Sequence, residues 1–468
     1  MACSSSRMVL GEVLECFVAK SPICVMVRAL MEKALNPQAV DALFEQHAQT
    51  QYTRELLFSS VVDVLSLVVC GIKPSVNAAY KHLQERIPVA RTNLYEKINH
   101  TDPAVAAALV RHTAGTMTTI VGQLGGALPE LLPGCRVKIL DGNCLAATEH
   151  RLAELRTTSA GPLPGKSLVV LDPSLMLAVD VFPCADGHAQ ERALLDDVLP
   201  TVQAGELWIE DRNFCTRKWL FGVAARGAHF LVREHKTNVP WEAVTALHYV
   251  GRTETAAVWE QRVQIVEPTT GKQLTIRRLE LHLDEPTRDG ERVLALLTNK
   301  SIKKAPALRL ARLYRQRWTI ETLFQILEKA LASEQPRLGY PPAALLSFCL
   351  ALVAYNMLAV VKAALRVTHG TKQVEEGMSL YYFALELSGV YQGMMIALPA
   401  EKWQWFQNAT AQELAQFLKD VASQVRFQPY ARQPRGPKKP PPQRTRNKYQ
   451  PHVSTARLLN ERRKTKVS

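Results

Sequence analysis

Three acids far apart in the chain carry the chemistry this sequence could do. Asp141 closes the apolar run Val137-Lys-Ile-Leu-Asp, and Asp211 closes Leu207-Trp-Ile-Glu-Asp. Glu321 stands in 309–329, a stretch without Gly or Pro. In that stretch Leu310, Leu313, Trp318, Ile320, Leu323, Phe324 and Leu327 make an apolar stripe of mixed 3 and 4 spacing, the pattern of an amphipathic helix. At ~100° per residue, Tyr314, Arg317 and Glu321 fall within one ~60° sector, so a phenol, a guanidinium and a carboxylate project together. Taken singly, each feature has a plain reading: Arg317 with Glu321 is an i, i+4 ion pair on a solvated face, and an aspartate after a strand starts a turn. Three carboxylates converging on one point would repel and lose hydration unless cations neutralise them. An oxygen-only donor set that leaves room for water and phosphate suits Mg²⁺. Two such ions ~3.5–4 Å apart would activate a water or a 3′-hydroxyl and stabilise the leaving oxygen of an in-line phosphoryl displacement.

The elements that must position these acids are legible in outline. Residues 1–130 read as helices, with amphipathic runs at 39–46 and 56–69. Within them, 75–85 and 91–98 flank Ile87-Pro88-Val89, a helix-turn-helix pattern that would face Arg91, Asn93 and Lys97 to a major groove. Any helical hairpin gives the same pattern. Residues 125–134 and 161–165 read as loops. From Cys135 the pattern changes to strands at 137–142, 167–171 and 175–182, with Asp172-Pro173-Ser174 as a hairpin turn. A helix at 189–198, a strand at 206–213, a helix at 216–225 and a strand at 228–233 follow. A three-strand meander and then helix–strand–helix–strand describe a mixed sheet with helices on its faces. Alternating runs within 236–289, punctuated by Pro240, Pro268 and Pro286, predict a β-rich insertion. A strand returns at 293–297, one long helix is expected over 305–330, and further helices at 342–366, 378–398 and 410–421.

The chain has 468 residues, 47% hydrophobic and 21% charged, which fits a globular protein of two to four domains. Its formal charge is +14, but 426–468 alone hold 13 Lys and Arg against the single acid Glu461. The body is therefore nearly neutral and the end is a polycation, expected to be disordered without a polyanion and suited to nucleic acid or an anionic surface. Nine cysteines without a Cys-x-x-Cys pair favour free thiols in a reducing compartment over disulfides or zinc. The N-terminus has no signal-peptide apolar region. Residues 345–361 are apolar but include Ser347, Tyr355 and Asn356, and at about 17 residues they sit at the short limit of a membrane span. A buried core helix is the reading; a protein anchored there with its basic tail on anionic lipid is the alternative. A basic architectural DNA-binding protein whose acids are only structural is another.

The blocks Ile139-Leu-Asp-Gly-Asn143, Leu207-Trp-Ile-Glu-Asp-Arg-Asn-Phe214, His229-Phe-Leu-Val-Arg233, Leu296-Leu-Thr-Asn299 and Tyr314-Arg-Gln-Arg-Trp-Thr-Ile-Glu321 resemble bacterial insertion-sequence transposases. The subgroup is the cut-and-paste DDE family four, whose third acid lies in a Tyr-x2-Arg-x3-Glu-x6-Lys signature. The resemblance covers roughly 135–360. It implies an α/β chain with an RNase H-like mixed-sheet catalytic core interrupted by a β-rich insertion, and helical N-terminal and C-terminal regions. The corresponding divisions are a helical region, possibly end-binding, at 1–130, core at 131–236, insertion at 237–292, core with the third acid at 293–366, helices at 367–427 and a disordered basic tail at 428–468.

The resemblance further implies that Asp141, Asp211 and Glu321 are the catalytic, metal-binding acids for two Mg²⁺, with Mn²⁺ as a substitute. Tyr314 and Arg317 would hold the scissile phosphate, and Arg233 and Lys236 the transposon-end DNA. Arg91 and Lys97 remain the DNA-facing candidates of the N-terminal hairpin. Members excise through a DNA hairpin and stack a flipped base on an insertion Trp, which makes Trp241 and Trp259 the candidates; a place in the insertion core is the plain reading of either. The implied partners are double-stranded terminal inverted repeats and target DNA, engaged by a homodimer on paired ends, with no membrane. The implied location is the bacterial cytoplasm, at the nucleoid. One position departs from the signature: Glu328 stands where Lys is expected, with Lys329 beside it. By helical rotation Glu328 lies ~20° from Glu321 and Lys329 ~80° away; either the subgroup dispenses with the Lys contact, or another cation such as Lys303, Lys304 or Arg315 serves, or the element is impaired.

Overall fold

The N-terminal third is helical: α1 (Ala2–Lys20), α2 (Pro22–Ala34), α3 (Pro37–His47), α4 (Phe58–Val69), α5 (Val76–His82), α6 (Arg91–His100) and α7 (Pro103–Leu124). The computed structural model describes residues 2–49, 51, 55–145, 152–156, 161–235, 237–287, 290–433 and 453–467. Helix starts follow local chemistry. Asn36, Ser75 and Asp102 each accept a backbone N–H of the first turn, and Pro37 and Pro103 occupy first helical positions. α7 stops at Gly125, whose φ of 68° closes a left-handed cap.

The α5–α6 pair is a hairpin held by Tyr80 Oη donating to Val89 O at 2.9 Å and Arg91 Nη1 donating to Asn77 Oδ1 at 3.0 Å. Arg91 and Asn93 are exposed. Lys97 is not, and its expected place facing DNA is corrected here. Its Nζ donates to Leu56 O at 2.7 Å and stands 4.4 Å over the Phe44 ring. Lys97 lies three residues after buried Leu94 and so shares that helix's inner face, its long stem covered by apolar neighbours.

The sheet begins with β1 (Val137–Cys144), β3 (Lys166–Asp172) and β4 (Leu177–Cys184), while the short β2 (Pro162–Leu163) between β1 and β3 lies outside it. Asp172 Oδ1 accepts the N–H groups of Ser174 and Leu175, closing the expected hairpin turn. The predicted helix at 189–198 is a 3₁₀ turn, Glu191–Leu194, followed by the single turn α8 (Leu195–Val198). Then come β5 (Leu207–Glu210), α9 (Arg217–Ala225) and β6 (His229–Arg233). β1, β5 and β6 run parallel, while β3 and β4 are antiparallel additions on the other side of β1.

The insertion supplies β7 (Trp241–Ala243), β8 (His248–Arg252), β9 (Ala256–Val266) and β10 (Gln273–Leu283), and the chain returns through β11 (Val293–Thr298). These strands do not form a separate body. The order β4-β3-β1-β5-β6-β11-β10-β9-β7, with β8 on β9, makes one continuous sheet. Asn299 finishes the junction where the β6–β11 ladder ends: its Oδ1 accepts from Phe230 N and its Nδ2 donates to Ala228 O.

Beyond β11 the expected single helix at 305–330 is divided into α10 (Ala307–Tyr314), a 3₁₀ turn Arg315–Arg317 and α11 (Trp318–Lys329). No Gly or Pro marks the break; a 3₁₀ segment tightens the turn and shifts the side chains that follow. Trp318, assigned to the apolar stripe, is 60% exposed, because at ~100° per residue it lies ~160° from Ile320, on the opposite face. Next are α12 (Pro341–His369), α13 (Thr371–Gly377), α14 (Leu380–Ala397), α15 (Trp405–Asn408) and α16 (Ala411–Ala422). α12 is apolar all round and buried between the sheet and the N-terminal helices, as a core helix must be. Asn356 turns this helix into a strand partner, its amide exchanging two hydrogen bonds with the Ala178 backbone of β4. α12 and α7 thereby cover the β4 edge.

The expectation of a disordered end at 428–468 fails at 453–467. β12 (Val453–Ser454) pairs in parallel with β2, and α17 (Thr455–Val467) follows. Composition reports charge, but strand addition depends on an edge almost three hundred residues away.

Helices lie on both sheet faces. One core joins Ile139, Val169, Ile209 and Leu231 to α7, α10, α11 and α12; the other joins Leu140, Trp208, Phe230 and Val232 to α8 and α9.

Candidate active site

Period-2 alternation decides which strand residues meet α11. Leu140 and Glu210 are cross-strand partners on parallel β1 and β5, and both side chains face the α9 side. The next residues, Asp141 on β1 and Asp211 just past the end of β5 in extended backbone, therefore face the α11 side. Glu210 itself is a buried structural acid, receiving Trp219 Nε1 at 2.7 Å.

Asp141 lies at the point where β1 passes from buried to half-buried. Its Oδ1 accepts Gly142 N at 2.9 Å, and its Oδ2 accepts Arg317 Nη1 at 2.9 Å. The other arm of the same guanidinium, Nη2, donates to Glu321 Oε1 at 2.8 Å. The i, i+4 pair expected on the helix is present, but it continues into a bridge to the sheet. The 3₁₀ turn ends at Arg317, where α11 begins.

Electrostatics follow from this crowding. Burial pushes Asp141 from its ordinary 3.8 up to about 7; Arg317 and the Gly142 N–H oppose the rise, and Asp211 and Glu191 add to it. Tyr314 is buried under the acids, and that burial, reinforced by Asp211, pushes its phenol well above its usual range, so it remains a neutral donor. Burial works against the charge of Arg317, but Tyr314, Asp141, Asp211 and Glu321 outweigh it and raise its pKa.

Glu191 is a fourth acid that sequence reasoning missed. It begins the 3₁₀ turn before α8, accepts Asn213 Nδ2 at 3.2 Å and lies so close to Gly142 that a Cβ there would collide with its Oε1. A side chain at 142 would push the Glu191 carboxylate aside. No sequence signal marks Glu191. Arg233 points to the same region and pairs with Glu291, which Arg212 also approaches at 3.5 Å. Lys236 lies outside the described residues. Arg91 and Lys97 belong to the distant α5–α6 hairpin, the second as a buried structural group. Glu328 is exposed near the end of α11, next to exposed Lys329.

Trp241 is half-buried in the insertion: its Nε1 donates to Glu234 at 2.6 Å and Arg278 covers its ring at 4.8 Å. Trp259 is half-buried between Tyr249, 5.4 Å away edge-on, and His282, 5.9 Å away. Tyr249 is 53% exposed, so this cluster presents aromatic surface to solvent.

Arg317 thus links Asp141 of β1 to Glu321 of α11, with Asp211 near enough to shift the pKa of Asp141 and Arg317, in a chain whose middle also matches a known family. Residues 138–357 match the Transposase DDE domain. The DDE-domain match begins within β1 and ends within α12, so it contains Asp141, Asp211 and Glu321 and spans the insertion. A 170-residue segment is 26% identical to the protein named "Putative transposase y4zB" of Sinorhizobium fredii (strain NBRC 101917 / NGR234). That alignment covers 36% of this chain and 46% of the relative, less than half its length. Among solved structures, the piggyBac transposase in its cryo-EM synaptic complex with hairpin DNA aligns over 85% of both chains, at 10% identity and a TM-score of 0.42.

The donor chemistry of this site suits a hard divalent ion, because the side chains gathered there offer carboxylate oxygens. Gly142 leaves Glu191 its place there only by lacking a Cβ. Among the described residues, however, no three acids, histidines or cysteines stand close enough to grip an ion as placed. The Arg317 guanidinium lies between two of them instead.

Proposed function

We propose that this protein is a cut-and-paste DNA transposase of the insertion-sequence family-four type, cleaving transposon ends and joining them to target DNA on an RNase H-like core. The observation that carries this reading is the Arg317 bridge, which draws together Asp141 and Glu321, acids 180 residues apart in sequence, beside Asp211. Three antiparallel strands followed by two parallel ones, β4-β3-β1-β5-β6, support the RNase H-like assignment.

Two Mg²⁺, or Mn²⁺ in their place, would be held by Asp141, Asp211 and Glu321. Bound there, they would supply activation of a water or 3′-hydroxyl and stabilisation of the leaving oxygen. The chain's own groups do the rest. Arg317 exchanges its carboxylate partners for a phosphate oxygen, a transfer its planar fork suits because it pairs with either group in the same geometry. Tyr314 stays protonated beneath the site and donates its O–H. Arg233 and Lys236 hold the transposon-end backbone, Arg91 contacts it from the N-terminal hairpin, and the Trp259–Tyr249 surface offers a π-face for an unstacked base. Trp241, committed to Glu234 and Arg278, serves the insertion core. The active form is a homodimer across paired terminal inverted repeats in the bacterial cytoplasm.

The test is strand cleavage of DNA taken from just outside the reading frame, where inverted repeats are expected. Wild-type protein with Mg²⁺ should nick at the repeat boundary, and Asp141→Asn should bind the same ends without cutting. Undiminished cutting by Asp141→Asn ends the proposal. Binding without cutting by the wild type selects a non-catalytic DNA-binding protein.

A further inference from the structure

The end of the chain carries an inference that rests on the transposase reading and goes beyond it. We propose that α17 is a docked contact for the DNA backbone, fixed by a two-strand pairing beside the sheet that bears Asp141, and not a freely moving polycation.

Three observations fix the helix. Val453 and Ser454 pair in parallel with Pro162 and Leu163, and Val453 N donates to Gly161 O at 3.2 Å. Ser454 and Thr455 are fully buried where the strand turns into the helix. Arg457 Nε then donates to Asp186 Oδ2 at 2.6 Å, tying the first turn to the loop after β4. The bed itself is tight: a Cβ on Gly187 would stand 2.6 Å from Leu163 Cβ, and one on Gly165 would stand 2.8 Å from Cys184 O.

The bed lies near the acids. Leu145 N donates to Gly165 O, and Cys144 pairs with Lys166, which pairs in turn with Cys184. Cys144 is three residues beyond Asp141 on β1, or ~10 Å along a strand. From this anchor α17 carries Arg462, Arg463 and Lys464, all exposed, against one acid, Glu461. A helix of 13 residues reaches ~20 Å. Clustered cations on a rigid mount beside a phosphoryl-transfer site fit a duplex backbone, whose phosphates recur every few ångströms.

Binding of a 30-base-pair duplex of arbitrary sequence to the full-length protein, followed by fluorescence anisotropy across a salt series, separates docking from simple charge. Asp186→Lys adds two positive charges while repelling Arg457. Docking predicts that it binds DNA several-fold more weakly than wild type, and that Asp186→Lys with Arg457→Asp, which restores the pair in reverse, recovers wild-type affinity. A freely moving polycation predicts the opposite order, with Asp186→Lys tightest. Replacing Arg462, Arg463 and Lys464 by Ala should reduce the slope of log K against log salt by about 2–3. Tighter or unchanged binding by Asp186→Lys, an unchanged slope for the triple variant, or no binding by wild type overturns the proposal. Thermal melts of each variant confirm that the body remains folded. Failure of the transposase reading shows separately, as metal-dependent cleavage that survives Asp141→Asn.

Discussion

Arg317 Nη1 stands 2.9 Å from Asp141 Oδ2, and its second arm holds Glu321 at 2.8 Å, so one guanidinium joins the sheet to the helix that faces it. A cation of the chain itself balances acids that would otherwise repel. Arg317→Ala should release both carboxylates and bind Mn²⁺ in the absence of DNA roughly tenfold more tightly, a gain of about 1.4 kcal/mol. The same variant should cleave DNA 10²–10³-fold more slowly, the loss typical of removing one charge-stabilising donor. Calorimetric Mn²⁺ titration beside single-turnover cleavage checks both; weaker Mn²⁺ binding would show that the guanidinium organises the acids.

Gly142 and Glu191 form the second testable pair. Gly142→Ala should displace the Glu191 carboxylate and reduce both stability and metal affinity. Adding Glu191→Ala should recover the stability, by ~1–3 kcal/mol, without recovering the metal affinity. Denaturant melts and Mn²⁺ titrations of the two single variants and the double variant would expose the coupling as non-additivity. Additive effects would place Glu191 outside the site.

Lys97 should matter for folding and not for DNA. Lys97→Ala removes the hydrogen bond to Leu56 O and the contact with Phe44, and should destabilise by ~2–4 kcal/mol. Affinity for duplex DNA should stay within twofold of wild type at a temperature where both are folded. Arg91→Ala, at an exposed position, should show the reverse pattern: little change in melting and weaker DNA binding.

The pH dependence of stability has an identifiable source in Glu210. Burial raises its pKa from 4.5 to about 8, with Trp219 opposing. A group whose folded pKa exceeds its unfolded value contributes stability that is full below the unfolded pKa and is lost as pH rises through the folded one. The metal-free protein should therefore lose roughly 4 kcal/mol from this group between about pH 5 and pH 9. Glu210→Gln should flatten that slope in denaturant titrations, and an unchanged slope would assign the loss elsewhere.

The sequence shows Asp141 and Asp211 clearly because each closes a short apolar run, and a strand's period of two then sets its direction. Glu321 is legible through its helix, and the alternating runs of the insertion are legible as strands. What local pattern could not carry is who pairs with whom. The β6–β11 ladder merges the insertion with the core sheet, and Glu191 reaches Gly142 across 49 residues of chain. The break at Arg315–Arg317 has no Gly or Pro to announce it, and the apolar period runs through it. Lys97 and 453–467 mislead for one reason: charge composition says nothing of a buried carbonyl or an unpaired strand edge that can receive it.

The continuous sheet also bears on how the protein is made. When the ribosome has completed β6, its outer edge offers Phe230, Leu231 and Val232 with no neighbour, because β11 ends 65 residues later. At ~5–20 residues per second the edge waits roughly 3–13 s. An apolar edge open for that long is a template for pairing with other chains. Yield of soluble protein should thus depend on translation speed across the insertion more than on the stability of the finished fold.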